Sequence, residues 1–161
     1  NYKETKKENK ISTIASGKNT TEGHQLRHKI ISKYRDDISV YGHGYNPVEF
    51  KEESLLQYMY SITIENCRQP GYWTEKIVDC FASKSIPLFW GDDAVNEYFD
   101  KDGIIYFENE EELGDIIKNL KENGKEIYNS KKEAIEYNFK KVEEYRIPED
   151  WMYLNYPFLF K

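Results

Sequence analysis

The stretch MYSITIENCRQPGYWTEKIVDCFASKSIPLFWG, residues 59–91, decides the fold class. Its first part, Met59 to Glu65, predicts a strand. Thr74 to Lys84 predicts a helix, because its apolar residues recur at helical spacing. Ile86 to Trp90 is apolar at every position, as a strand covered by helices on both faces must be. The stretch therefore predicts a strand–helix–strand unit of a parallel sheet.

The same alternation continues on both sides of this unit. Further strands are predicted over Ile11–Ser16, Ile38–Gly42 and Gly103–Phe107. Further helices are predicted over Glu22–Tyr34, Asn109–Asn123 and, as short ones, Glu52–Tyr58 and Asp92–Phe99. Asn109 can cap the long helix and Gly124 can end it. Strand and helix alternate repeatedly, which specifies a parallel α/β sheet with right-handed crossovers.

Length and composition limit the classes of function. The chain has 161 residues, which fits one domain. Its 23 basic and 29 acidic residues give a net charge of −6, so no overall cationic field exists to bind a nucleic acid. The apolar runs are too short to predict a membrane span. The two cysteines, Cys67 and Cys80, are too few for a disulfide framework and have no metal-site spacing.

The charge is unevenly distributed along the chain. Residues 92–126 contain 12 acidic and 4 basic residues, whereas residues 1–91 contain 11 acidic and 13 basic ones. The first 91 residues are therefore the better place for a phosphate-bearing ligand.

Two cations in that basic part point to an anion site. Thr74 is a suitable N-cap for the helix that follows it, yet Lys76 lies in the first turn, where the helix dipole disfavours a cation. A lysine beside free backbone N–H groups can form a phosphate site, although a solvated surface lysine is the simpler interpretation. Arg27 falls on the apolar face of its helix. It can be paired with a carboxylate such as Glu65 or Glu75, or it can reach a diphosphate.

Other patterns are weaker. Residues 16–20 (SGKNT) lack the earlier glycine of a P-loop and its Ser or Thr for Mg²⁺. His24 and His28 are four residues apart but lack zincin partners, so surface or capping histidines are expected. Asp92 and Asp93 are expected to cap the next helix rather than hold a metal.

Three motifs carry a family resemblance: Ile64-Glu65-Asn66, the run 71–76 (GYWTEK) and the run 86–91 (IPLFWG). Together they resemble the donor-binding region of the α-1,3-fucosyltransferases of glycosyltransferase family ten. That family has Phe-Glu-Asn at a strand end, then Tyr-x-Thr-Glu-Lys opening a helix, and a Pro-containing apolar strand ending in Gly. The chain departs only at Ile64, where the family has Phe. The resemblance covers roughly residues 11–120.

The resemblance implies a Rossmann-like parallel sheet that forms the C-terminal half of a GT-B enzyme using GDP-fucose. It implies that Arg27 and Lys76 neutralise the diphosphate and that Glu75 bonds ribose or fucose hydroxyls. It also implies that Asn66 and Tyr72 form hydrogen bonds with groups of the sugar donor, and that Thr74 caps the helix and touches phosphate. The implied reaction is an inverting transfer of fucose to a glycan acceptor, without a required cofactor or metal. Its catalytic base belongs to an N-terminal acceptor domain, so the chain alone is expected to be inactive or weak.

The resemblance also suggests an organisation of the chain. Residues 1–10 are a polar leader or interdomain segment, residues 11–125 bind the nucleotide sugar, and residues 126–161 form a C-terminal helix, about Ser130 to Tyr145, with an aromatic tail. The tail, Trp151 to Phe160, is expected to pack on this sheet or on the N-terminal domain.

Two alternatives stay open at this stage. One is a non-catalytic module that binds GDP or a nucleotide sugar, and the other is a related GT-B glycosyltransferase with another sugar donor. The location is equally open, because animal members of the family are Golgi membrane proteins and bacterial ones are cytoplasmic or peripheral.

Overall fold

A computed structural model describes residues 5–145, 152–153 and 156–160. The strands are β1 (Glu8–Ile14), β2 (Ser39–Tyr41), β3 (Tyr58–Ile64), β4 (Ile86–Trp90) and β5 (Ile105–Tyr106). The α-helices are α1 (Glu22–Tyr34), α2 (Glu75–Ala82), α3 (Glu110–Ser130) and α4 (Lys132–Val142). Short 3₁₀ helices cover Lys51–Ser54, Asp93–Glu97, Lys101–Gly103, Glu143–Tyr145 and Pro157–Phe160. The strands form one sheet in the order β2-β1-β3-β4-β5, and every pairing is parallel. The predicted parallel α/β fold is confirmed.

The two faces of the sheet are covered by different helices. Alternate residues of β4 show this, since Leu88 and Trp90 join a core with residues of α1 and α3. Phe89 points the other way and packs with Ile77 and Phe81 of α2. All five residues of β4 are buried, which explains its uninterrupted apolar sequence.

Helix α3 does not end where the sequence suggested. The prediction that Gly124 ends it was wrong, since the helix continues to Ser130. A Cβ atom at position 124 would lie 2.1 Å from Oδ1 of Asn9, and Tyr60 donates its hydroxyl hydrogen to the Gly124 carbonyl at 2.6 Å. Gly124 therefore permits close packing of the helix on the sheet instead of terminating the helix.

Strand β1 begins at Glu8, before the predicted start at Ile11. The Glu8 amide donates to the carbonyl of Gln57 at 2.8 Å, which adds the polar residues 8–10 to the sheet. The predicted short helices before β3 and after β4 are 3₁₀ helices. The predicted helix over 130–145 is α4 followed by a 3₁₀ turn.

The tail residues that the structure describes are exposed. Tyr153, Phe158 and Leu159 have 59%, 65% and 57% of their surface accessible. Trp151 lies outside the described residues, and packing of the tail on this sheet or on an N-terminal domain stays a prediction. Within the described ranges no helix is long and apolar enough to cross a membrane.

Buried tyrosines predict alkaline destabilisation. Burial raises the pKa of Tyr60 and raises that of Tyr128 to about 12. In the unfolded chain these tyrosines lose their protons from about pH 10. Their contribution to the free energy of unfolding is therefore fully present below that pH and is lost as the pH rises towards 12. We expect the urea midpoint to fall over this range. The fall should be smaller in Tyr60→Phe/Tyr128→Phe and unchanged in the exposed control Tyr137→Phe; equal slopes in all three proteins would contradict the assignment.

Candidate functional site

A cavity of about 420 Å³ lies at the carboxyl ends of β1 and β3. From β1 the chain crosses to β2 on one side, whereas β3 lies on the other side. Ligands of open α/β sheets bind at such a reversal of strand order, beyond the carboxyl ends of the strands. The fold therefore places a candidate binding site where the start of α1, the loops after β1 and β3, and α2 meet.

The structure brings together four of the six residues singled out in the sequence. Arg27, Asn66, Glu75 and Lys76 line the cavity. Tyr72 and Thr74 belong to the adjoining loop and helix cap and are absent from the described cavity wall. The ligand contacts predicted for all six stay predictions.

Arg27 is buried, with 7% of its surface accessible. One guanidinium nitrogen, Nη2, donates to the backbone carbonyl of Ile64. Burial lowers the pKa of Arg27, and the negative charge of Glu65 partly opposes that shift. Among the described residues no carboxylate lies within ion-pair distance of Arg27, so of the two alternatives that the sequence left open, pairing with Glu65 or Glu75 is not formed. The guanidinium is held by a neutral carbonyl, so its positive charge is not neutralised by that contact and can interact with an anion in the cavity.

A glycine sets the position of α1. The Gly23 amide donates to the Asn66 carbonyl at 3.1 Å, and a Cβ atom at position 23 would lie only 1.7 Å from the carbonyl oxygen of Glu65. Thr21 caps the helix by accepting from the His24 amide. The first turn of α1 thus rests directly on the end of β3, which brings Arg27 over the cavity.

Glu65 organises the start of α2. Its side chain is fully buried and accepts a hydrogen bond from the Thr74 amide at 2.9 Å. The Thr74 hydroxyl lies 2.9 Å from each carboxylate oxygen of Glu65. The Lys76 ammonium lies 2.8 Å from Oε2 of Glu65 and 2.9 Å from Oγ1 of Thr74. Sequence reasoning gave Glu65 no such role; the signal was a carboxylate directly after an apolar strand and shortly before a Thr-x-Lys sequence.

This arrangement fixes Lys76 in place. An ammonium group has three N–H donors, and two of them are directed to Glu65 and Thr74. With 28% of its side chain accessible, Lys76 retains one donor for a ligand in the cavity. Glu65 forms an ion pair with Lys76 and compensates its positive charge, whereas Arg27 has no such ion pair with the residues that the structure describes. Of these two cations, Arg27 is therefore the one whose positive charge is less compensated in the cavity.

The histidine pair does not form a metal site. His28 contacts the Tyr45 hydroxyl at 3.0 Å and the Lys18 carbonyl at 2.9 Å. His24 is turned to Thr20 and is buried, which corrects the expectation of a surface histidine. In the part of the chain that the structure describes, no three His, Cys, Asp or Glu side chains are grouped as metal ligands.

Asp92 confirms its predicted capping role. Its Oδ1 accepts from the Ala94 amide at 3.1 Å and also from the Gly71 amide at 2.9 Å. It thereby also fixes the loop that leads to α2.

Burial raises the pKa of the Cys80 thiol to about 11, so this cysteine is not poised as a nucleophile.

The sequence profile of "Glycosyltransferase family 10 (fucosyltransferase) C-term" matches residues 4–148. The chain belongs to glycosyltransferase family 10. The resemblance carried by the Glu-Asn and Tyr-x-Thr-Glu-Lys motifs is thereby confirmed.

Curated relatives of this family 10 chain are viral and bacterial. R654 of Acanthamoeba polyphaga mimivirus, provisionally named a fucosyltransferase, is 32% identical over an alignment of 120 residues that covers 63% of this chain and 20% of that protein. Alpha-(1,3)-fucosyltransferase FucT of Helicobacter pylori is 40% identical over 80 residues, which are 48% of this chain and 16% of that protein. The matched part spans about a fifth or less of these relatives.

Solved structures agree with the family 10 assignment. A crystal structure of α1,3-fucosyltransferase with GDP-fucose superposes with a TM-score of 0.61 at 29% identity. It covers 75% of this chain, which corresponds to 37% of that protein. The same enzyme type with GDP gives a TM-score of 0.61 at 30% identity and the same coverage. The parallel sheet with flanking helices is therefore of the GT-B type, as predicted.

Proposed function

We propose that this family 10 chain is the donor-binding half of an inverting α-1,3-fucosyltransferase and that it binds GDP-fucose in the cavity beyond β1 and β3. The observation that carries the proposal is the meeting of Arg27, Lys76 and the N-terminus of α2 at one cavity. Two cations and a helix N-terminus together suit a diphosphate. The related crystal structures containing GDP-fucose and GDP support this choice of ligand.

In the proposed reaction, the acceptor hydroxyl of a glycan attacks the anomeric carbon of fucose while the bond to GDP breaks. Negative charge then grows on the diphosphate of the leaving GDP. Arg27 and the remaining donor of Lys76 are held in place before the reaction, so they stabilise that charge at little cost in reorganisation. Neutralisation is thus assigned to side chains, with no cofactor or metal in the scheme.

The other site residues have positioning roles in this proposal. Glu75 is exposed on the first turn of α2 and accepts from ribose or fucose hydroxyls. Asn66 and Tyr72 form hydrogen bonds with groups of GDP-fucose, the sugar donor. Thr74 caps α2 beside the phosphates. The base that deprotonates the acceptor is assigned to an N-terminal acceptor domain that accompanies this half in the complete enzyme.

Calorimetric titration with GDP, GDP-fucose and UDP tests the donor site. We expect GDP and GDP-fucose to bind and UDP to bind more weakly. Arg27→Met keeps the aliphatic bulk but removes the charge, and should weaken GDP binding at least about tenfold, the loss expected for a charge-assisted contact.

Arg35→Met is the matched control, since Arg35 is an exposed arginine at the other end of α1. It should leave the affinity unchanged. Absence of binding by GDP and GDP-fucose, or equal losses in the two variants, would refute the assignment.

A further inference from the structure

His24 is a buried imidazole in the cavity wall that the proposed mechanism does not use. It lies in the first turn of α1, one turn before Arg27, and has 7% of its surface accessible. Its side chain lines the same cavity as Arg27 and Lys76. It therefore borders the cavity to which the diphosphate is assigned.

One nitrogen of this ring is available for a ligand. Nδ1 lies 3.4 Å from the Thr20 hydroxyl. For Nε2, the described part of the chain supplies no hydrogen-bond partner. An unpartnered ring nitrogen of a residue in a cavity wall is a group that a ligand can satisfy.

Several groups that act on the charge of His24 come from different elements. Arg27 and His28 lie on its own helix, Lys18 belongs to the loop after β1, and Lys76 comes from α2. Burial first, and then the charges of these neighbours, lower the pKa of His24, which favours the neutral ring in the absence of a ligand. The cavity wall also contains the carboxylates of Glu75 and Asp79. The nearby carboxylate of Glu65 is already engaged by Thr74 and Lys76.

A diphosphate reverses this electrostatic balance. Its two negative charges would occupy the cavity between the cations that disfavour an imidazolium, and an anion close to an imidazole favours the protonated form. Protonated Nε2 becomes an N–H donor to a phosphate oxygen, which adds a charge-assisted hydrogen bond.

We propose that His24 takes up a proton from solvent when the nucleotide sugar binds and then donates from Nε2 to the diphosphate. The inference rests on the proposed donor site and deepens it. It makes donor affinity depend on pH: the affinity rises as the pH falls from about 8 towards the pKa of His24 in the free protein, and levels off below it.

The test is calorimetric titration with GDP-fucose in two buffers of different ionisation enthalpy. GDP-fucose is the suitable probe, because both of its phosphates are esterified and stay singly charged between about pH 5 and about pH 8, the range in which histidine titrates. We expect buffer-dependent heats near pH 6.5 that correspond to uptake of a fraction of one proton. We also expect an affinity gain of about tenfold between about pH 8 and about pH 5.5.

The variant His24→Asn should bind GDP-fucose more weakly and lose both the proton uptake and the pH dependence. His43→Asn is the comparison for the other histidine in the cavity wall, which is exposed. Proton uptake and pH dependence that vanish in His24→Asn but persist in His43→Asn assign both properties to His24. Should His24→Asn fail to fold, the ring-proton NMR resonances of the three wild-type histidines, followed against pH with and without GDP-fucose, give the same answer.

The two proposals fail in different ways. Binding of GDP-fucose without proton uptake, or uptake that survives in His24→Asn, overturns the role of His24 and leaves the donor site intact. Absence of GDP-fucose binding at every pH overturns both.

Discussion

Replacing Gly23 with alanine should destabilise the protein by at least about 3 kcal/mol, the upper part of the range for overpacking, and should abolish nucleotide binding. The new Cβ atom would lie 1.7 Å from the Glu65 carbonyl oxygen, which is a backbone atom and cannot turn away as a side chain can. Helix α1 must therefore lift from the end of β3. Arg27 would lose its bond to Ile64 and leave the cavity.

Gly17→Ala is the matched control for this prediction. It lies in the loop just before α1, and a Cβ atom there meets nothing within 4 Å. We expect its stability to stay within about 0.5 kcal/mol of the wild type. Urea unfolding and titration with GDP measure both effects, and similar stability for the two variants would show that the close contact at Gly23 is not needed.

Replacing Lys76 with methionine should lower stability by about 2–3 kcal/mol, the size of a hydrogen bond to a charged group. The buried carboxylate of Glu65 would lose its cation and keep only Thr74 as a partner. The estimate stays below that for a fully buried pair because Lys76 is 28% accessible. Loss of GDP affinity in this single variant therefore combines a missing contact with a disturbed helix start.

The double variant Glu65→Gln/Lys76→Met separates these two effects. A neutral amide can still accept from the Thr74 amide, so much of the stability should return. GDP affinity should remain at least about tenfold reduced, because the ammonium is still missing. Lys121→Met, which removes an exposed lysine paired with Asp37 far along α3, should change neither property. A double variant as unstable as the single one would refute the compensation of Glu65 by Lys76.

Local patterns predicted the elements whose limits depend on nearby residues. The helix over Glu22–Tyr34 and the strand over Ile86–Trp90 have the predicted bounds, since apolar residues at helical spacing and a continuous apolar run are visible in the sequence. The end of α3 was mispredicted, because the space at Gly124 is set by Asn9, which is distant in sequence. The start of β1 was missed because its pairing near Gln57 has no local signal.

The candidate site shows the same division. Arg27 and Lys76 stood out because a cation on an apolar face and a cation in a first helical turn both violate local rules. The carboxylate that holds Lys76, the glycine beneath α1 and the cavity position of His24 depend on how α1, β3 and α2 meet. Such contacts between distant segments leave no periodic trace in one sequence.

Polar residues before Ile11 connect the start of β1 to distant segments by hydrogen bonds. The Lys7 ammonium reaches the carbonyls of Leu55 and Tyr58 and the hydroxyl of Ser85, so it joins the start of β1 to the segments that enter β3 and β4. Asn9 fills the space above Gly124 and donates to the Leu120 carbonyl of α3. A shortened chain that starts at Ile11 would thus keep the apolar core. It would lose the hydrogen bonds of Lys7 and Asn9, which connect β1 to its neighbouring segments and to α3 at the end of the sheet opposite the cavity.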